Sequence, residues 1–340
     1  MTHKLRLIQC GIGGFGSGWL HDFVLPSPDF ELVAVVDPNG ATLHAQADRA
    51  GVPLERRFTT LAAALAAVTA DAVLTAAPPA FHLEHARLAF ERGLHLLTEK
   101  PMADTLDSAC AMARLAAEHN RQLVVSQNYR YRPVIQAARR LLADGAVGEP
   151  GHGHIDFYIA GDFTGTFRET MPYPLLIDMA VHHFDLIRCI TGRNIVRVTA
   201  LGFRPAWSWY AHEPGAKALL ELDGGMPFSY SGDWSALGEA TSWNGDWRVQ
   251  GAAGALHMVR DTLTVARSGR WNRDTITEAQ DIPPLALAER AATLHAFAQA
   301  IRTGQPAETS GADNLNTLAA VFAAVTSAAE RRPVDVSELL

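Results

Sequence analysis

Leu5-Arg6-Leu7-Ile8-Gln9-Cys10 runs into Gly11-Ile12-Gly13-Gly14-Phe15-Gly16, and downstream Leu32-Val33-Ala34-Val35-Val36 closes on Asp37. The two apolar runs read as strands, and the stretch between them as a glycine-rich turn opening a helix. A Gly-x-Gly-x-x-Gly turn alone is a weak signal. Between a strand and a helix, with an acid 21 residues beyond Gly16, it becomes a strong one for a dinucleotide site. Gly11 permits the tight turn, Gly13 lets a pyrophosphate approach the backbone, and Gly16 lets the helix pack closely. Unpaired N–H groups at the start of the helix favour an anion. Ile12, Gly14 and Phe15 complete the loop. A carboxylate at Asp37 accepts hydrogen bonds from ribose hydroxyls and repels a 2′-phosphate. Pro38 and Asn39 follow it with no basic neighbour. NAD is therefore expected over NADP, although Arg49, Arg56 and Arg57 could fold back toward a phosphate.

The pattern continues outward. Strands are expected at 72–76, 94–98 and 122–126, with helices between them such as 41–50 and 82–92 (each stopped by glycine) and the alanine-rich 61–67. Alternating strands and helices specify a parallel, doubly wound sheet over residues 1–126. Helical patterning resumes at 133–143 and 175–190. From about residue 151 the elements become short strands: 152–160, 196–203, 216–222, 227–233, 247–250, 255–259 and 262–266. Turns at Asp223-Gly224-Gly225 and Ser268-Gly269 punctuate them, which specifies a mostly antiparallel sheet in a second domain, 127–340. Helices at 287–302 and 314–330 finish the chain.

The bulk numbers agree with a two-domain α/β chain. Its 340 residues are 48% hydrophobic and 19% charged, with a net charge of −7 and no Lys/Arg run. Nucleic acid and anionic membranes are not expected partners, and no apolar run is long enough to span a bilayer. The first strand begins too early to leave room for a signal peptide. Cys10, Cys110 and Cys189 are isolated in apolar segments and read as reduced core thiols, so a cytoplasmic location is expected. No Cys-x-x-Cys, His-Glu-x-x-His or P-loop pattern is present.

Three downstream motifs can carry chemistry. The strand at 72–76 runs into Ala77-Pro78-Pro79, with His82 soon after, at the sheet edge where ligands bind in open α/β sheets. The next strand ends in Glu99-Lys100-Pro101. An ammonium there could hold a substrate hydroxyl and stabilise developing charge on oxygen; a surface lysine before a loop proline is the plain alternative. On a helix, Asp178, His182 and Asp185 share one face. An Asp–His pair suits general-base catalysis. The same spacing would suit a metal site, which no other cluster completes, or a structural histidine beside a helix-terminal acid. Six of seven tryptophans lie in the sheet-forming half. Most are expected at a subunit interface, with Trp207, Trp209 and Tyr210 as substrate candidates.

In motif order the chain resembles the glucose–fructose oxidoreductase / inositol dehydrogenase (Gfo/Idh/MocA) family. The resemblance rests on Gly11–Gly16, Asp37, Ala77-Pro78-Pro79 with His82, Glu99-Lys100-Pro101, Gln127-Asn128-Tyr129-Arg130, Asp178-x-x-x-His182, and Pro306-Ala307-Glu308-Thr309-Ser310-Gly311. It implies a Rossmann domain joined to a domain with a large open sheet, whose open face packs on another subunit in a homodimer or homotetramer. It implies that Lys100 orients the substrate before a cis peptide bond, that His182 is the base assisted by Asp178, and that Asn128 and His82 lie near the cofactor. Two departures, Met171-Pro172-Tyr173-Pro174 and Ala180 where many members have glycine, leave the pair intact and bear on pocket shape. Tyr158, Arg168, Tyr173 and His183 are candidate substrate residues by location.

The expected activity is NAD-dependent oxidation or reduction of a ring hydroxyl of a sugar, sugar derivative or cyclitol. A redox-neutral glycosidase using NAD transiently, and a non-enzymatic NAD-binding regulator, are the alternatives. The absence of a charged cluster favours neutral polyols as substrate.

Overall fold

The structure, a computed structural model, describes residues 3–340. It divides into two compact units: the chain up to Asn128 together with Leu287–Leu315, and Tyr129–Ala286 together with Asn316–Leu340. The first crossing falls within two residues of the expected boundary. The return of 287–315 was not expected, and its cause is packing. Leu294, Phe297 and Ala298 of the helix Glu289–Thr303 share a buried cluster with Leu7, Trp19, Val24, Phe30, Leu74 and Val124.

The first unit is a six-stranded parallel sheet of β1 (Leu5–Cys10), β2 (Phe30–Val36), β3 (Arg57–Phe58), β4 (Ala72–Thr75), β5 (His95–Thr98) and β6 (Leu123–Val125). The order is β3-β2-β1-β4-β5-β6. It reverses between β1 and β4, the switch point at which open α/β sheets bind ligands. β3 is too short to register as a hydrophobic run. The Pro306–Gly311 segment docks on β6: the Val125 N–H donates to the Thr309 carbonyl, and Val124 bridges Ser310.

The second unit is a nine-stranded, mostly antiparallel sheet: β7 (Pro150–Tyr158), β8 (Ile195–Phe203), β9 (Gly215–Leu222), β10 (Met226–Asp233), β11 (Asp246–Gly251), β12 (Gly254–Val259), β13 (Thr262–Arg267), β14 (Ile276–Ala279) and β15 (Val334–Asp335). The order is β14-β13-β12-β11-β7-β10-β9-β8-β15, with only β7–β10 parallel. The two edge strands lacked a readable pattern: β14 is exposed throughout and β15 has two residues. Elsewhere period-two alternation sets the faces. In β9, Ala216, Ala218, Leu220 and Leu222 are buried while Lys217, Leu219 and Glu221 are exposed.

The expected helix 175–190 is present but does not start as an α-helix. Leu175–Met179 is a wide π-helical turn, followed by the α-helix Ala180–Thr191. Trp234 and Trp247 are 1% and 4% exposed, so these two belong to the core and not to an interface. Trp207 and Trp271 are exposed.

Candidate active site

The glycine loop is shaped by two positions. Gly11 has φ +76°, and a Cβ there would stand 2.8 Å from the Ala76 carbonyl carbon, so the loops after β1 and β4 meet at the switch point. A Cβ at Gly16 would stand 2.1 Å from the Gly11 carbonyl oxygen. Only glycine fits at either place. Gln9 braces the turn from below, its Nε2 donating to the Gly16 carbonyl at 2.8 Å and to that of Gly11 at 3.3 Å. At Gly14 a Cβ would meet nothing within 4 Å, so the outer side of the loop is open.

Asp37 sits where a ribose reader belongs. Its Oδ2 accepts the Ile12 N–H at 3.1 Å and its Oδ1 the Asn39 N–H at 3.0 Å, which ties the end of β2 to the loop. Arg57 is committed elsewhere: its guanidinium donates to the Val52 carbonyl and pairs with Asp48 at 2.6 Å. A dinucleotide therefore fits these residues: an open glycine turn for the pyrophosphate and a fixed carboxylate for a ribose.

The other expected residues of this unit fall into two groups. His82 is fully buried. Its Nε2 lies 2.9 Å from the Ala77 carbonyl oxygen, and its Nδ1 lies 2.8 Å from Thr98 Oγ1 and 3.1 Å from the Met102 carbonyl oxygen. It locks the Ala77-Pro78 loop in place and presents no face to a ligand. Burial holds its imidazole below the usual range. Glu99 is likewise a brace: Oε1 accepts the Trp19 indole N–H at 2.7 Å and Oε2 the Lys100 backbone N–H at 2.9 Å. Burial raises its carboxyl above the ordinary range. Neither the Trp19 contact nor the Gln9 brace has a sequence signal. The Lys100–Pro101 peptide is cis, as the resemblance implies. Asn128 Nδ2 donates to Glu289 Oε2 at 3.4 Å.

In the second unit, Asp178 lies in the π-helical turn and His182 in the first turn of the helix after it. Both are buried. The His182 ring stacks face to face on Tyr129, centroids 4.0 Å apart and planes 8° from parallel. The Arg132 guanidinium carbon lies 3.3 Å from the same Tyr129 centroid. At these distances the two groups must take opposite faces of the phenol. Arg132 is steadied by Asn244, to whose Oδ1 it donates at 2.9 Å. Arg168 pairs with Asp178, Nε to Oδ2 at 2.6 Å, and packs against Phe163 and Phe167. In the sequence Tyr129 stands out only as part of the Gln127-Asn128-Tyr129-Arg130 motif. Its role as the platform under His182 depends on tertiary stacking.

Four expectations change. Asp185 does not join Asp178 and His182 but is paired with Arg130 by two hydrogen bonds of 2.6 and 2.7 Å, both residues buried. His183 is fully buried, with Nδ1 3.1 Å from the Tyr230 hydroxyl and Nε2 3.1 Å from the Trp243 carbonyl oxygen. It has no surface for substrate. Tyr158 is on the wrong side of the sheet: Ile155 and Phe157 of β7 point inward, Phe157 against His183, so Tyr158 points outward. There its hydroxyl meets Ser231 Oγ at 2.6 Å. Tyr210 is also buried, donating to the Gly161 carbonyl. Tyr173, at φ +48°, lays its ring over Gly202. Trp207 is 60% exposed in a loop and donates to the Ser235 carbonyl.

Among the described residues no group of three or more His, Cys, Asp or Glu side chains is arranged to hold a metal ion, and no helix is long and apolar enough to cross a membrane.

Comparison with known proteins adds the lineage. The Gfo/Idh/MocA oxidoreductase model, described as an NAD-binding Rossmann fold, matches residues 5–127, and the family's C-terminal domain model matches residues 135–257. A D-apiose dehydrogenase of Paraburkholderia graminis is 31% identical, the alignment covering 99% of this chain and 90% of that protein. An inositol 2-dehydrogenase of Corynebacterium glutamicum is 28% identical over 66% of each chain. An Agrobacterium radiobacter oxidoreductase solved in complex with NAD+, L-tartaric acid and magnesium superposes with a TM-score of 0.88 at 26% identity, covering 99% of this chain and all of that one. The Rossmann switch point, its glycine turn and the matches to both domain models converge: this chain belongs to the Gfo/Idh/MocA oxidoreductase family.

Proposed function

We propose that the chain is an NAD-dependent dehydrogenase that oxidises or reduces a ring hydroxyl of a sugar, sugar derivative or cyclitol. One observation carries this reading: His182, buried and face-stacked on Tyr129 just after an Asp178 already held by Arg168. A sensor has no use for an oriented base. The relatives named for D-apiose and inositol support the substrate class.

In this reading the His182 imidazole takes the hydroxyl proton, with Asp178 supporting the cation that forms. The Lys100 ammonium holds the same oxygen and stabilises its developing charge. Gly11, Ile12, Gly13, Gly14, Phe15 and Gly16 hold the cofactor, with Asp37, Pro38, Ala77, Pro78 and Asn128 around them and Lys100 beyond. His82 and Glu99 act on that set from beneath. The nicotinamide, when bound, supplies the hydride acceptor. Arg168, Tyr173 and Trp207 remain the candidate substrate residues. The Asp37 carboxylate and the commitment of Arg57 favour NAD over NADP. A titration in which NADP binds more tightly would reverse that choice.

The adjacent His182 and His183 are compatible with a redox-neutral glycosidase without demanding one. With both His183 nitrogens engaged in the core, that support is gone. The testing experiment pairs a panel of inositols, aldoses and polyols with His182→Ala, reading reduced-nicotinamide absorbance. Turnover on one sugar class should fall roughly 100- to 10,000-fold in the variant, with NAD affinity kept. Near-normal turnover would remove His182 as the base.

The outward face of the second sheet supports a homodimer or homotetramer. Leu201 and Leu219 stand exposed beside Lys217 and Tyr158 there, an apolar patch that a partner subunit would cover. Light scattering that returns the mass of one chain at micromolar concentration would exclude the assembly.

A further inference from the structure

The helix Glu289–Thr303 begins beside the glycine loop. Its second residue, Arg290, places its guanidinium carbon 4.5 Å from the ring centre of Phe23, 4.7 Å from that of Phe15 and 5.8 Å from that of Trp19. Phe15 is the fifth residue of the fingerprint itself and is 58% exposed. Arg290 Nη1 lies 3.2 Å from where a Cβ would stand on Gly18, one turn into the helix the loop opens. Three aromatic rings hold the cation by packing, which spends none of its N–H donors.

Among the described residues those donors have no taker. Arg6, Arg57, Arg87 and Arg302 of the same unit each hold a carboxylate. Arg290 makes no hydrogen bond or ion pair with any described residue, and Asp22, whose carboxylate also borders Gly18, is not paired with it. A planar cation fixed by packing, with its donors left over, is suited to receive an anion in bidentate fashion. Its position selects the anion. Asp37 engages the loop at Ile12 and borders Gly13, which is the ribose end, whereas Arg290 stands at Phe15 and Gly18.

We infer that Arg290 clamps the pyrophosphate of the dinucleotide, a cofactor contact supplied from the chain's last sixty residues to a loop in its first twenty. The inference rests on the glycine loop being the dinucleotide site. The helix Glu289–Thr303, held in this unit by packing, thereby brings the charge that the loop lacks, since no Lys or Arg occurs between Gly11 and Asp37.

Titration calorimetry with NAD, ADP-ribose and adenosine, on the wild-type chain and on Arg290→Gln and Arg290→Lys, tests it. NAD and ADP-ribose should bind Arg290→Gln about tenfold more weakly, with adenosine within twofold of wild type. Arg290→Lys should recover only part of the loss, because it keeps the charge but not the planar fork. ADP-ribose carries the pyrophosphate without nicotinamide or substrate, so it separates this role from recognition of an acidic substrate. Unchanged ADP-ribose affinity in Arg290→Gln overturns the clamp, as does an equal loss for adenosine, which would make Arg290 a packing residue only. A wild-type chain that binds none of the three overturns the dinucleotide reading itself.

Discussion

Gly16 shows how much one missing atom can decide. With the Gly11 carbonyl oxygen 2.1 Å from any Cβ, the loop has no room for even a methyl group, because the contact is with backbone and cannot rotate away. Gly16→Ala should therefore cost both stability and ligand. We expect a loss of roughly 1–3 kcal/mol in thermal or urea unfolding and NAD affinity weakened more than tenfold; an alanine variant that keeps both would mean the loop yields without penalty. The sequence makes this residue legible because glycine spacing encodes backbone approach. It does not do the same for histidines. His82 and His183 look like His182 in the sequence, yet two of the three have both ring nitrogens engaged inside the fold. A histidine's role is set by what stands around its nitrogens, and those partners lie 5 to 60 residues away.

At the level of elements, the helix Ala180–Thr191 is anchored by charge as well as by packing. Arg130, in the short turn Asn128–Tyr131, holds Asp185 in a buried bidentate pair. The same carboxylate accepts the Thr317 hydroxyl at 3.0 Å, and that hydroxyl takes a 2.8 Å bond from Arg188. Removing Arg130 leaves the buried Asp185 carboxylate with only the more distant Arg188, at 3.8 Å, as a cationic partner. Arg130→Gln is expected to destabilise the second unit by about 3–5 kcal/mol, and adding Asp185→Asn should restore part of it. A urea midpoint within error of wild type for the single variant would show the pair to be dispensable. Because Tyr129 precedes Arg130, this anchor also fixes the platform under His182. Periodicity located the helix, both sheets and the strands of six or more residues, since those signals are local. It could not find the π-helical turn at Leu175–Met179, the two-residue strands, or the inward and outward assignment of Tyr158, which depends on which face of β7 the helices cover.

Across the whole molecule, buried neutral histidines set the response to acid. Burial pushes the His183 imidazole down to about 4, and burial likewise takes His85 and His95 to about 4. In the unfolded chain these groups titrate near 6.5. Their contribution to stability is therefore complete above pH 6.5 and shrinks as the pH falls toward 4, because unfolding then takes up protons. For fully buried His183 alone the change amounts to roughly 3 kcal/mol across that window. Glu99 works the other way: burial raises its carboxyl, so its contribution is largest at low pH and is lost as the pH rises through its folded value. The histidines outnumber it, and the unfolding temperature should drop steadily from pH 6.5 to pH 4. A flat profile would mean these rings gain protons without unfolding.

Trp19 is the only tryptophan in the first unit, the other six lying between Trp207 and Trp271. Its indole is fully buried, tethered to the Glu99 carboxylate and close to the Arg290 guanidinium. Reduced nicotinamide absorbs where indole emits. The chain thus carries a built-in optical gauge for the oxidation state of a nicotinamide bound beside it: with the other six tryptophans replaced by phenylalanine, Trp19 emission would dim as each hydride arrives on the cofactor and brighten as it leaves, with no label attached.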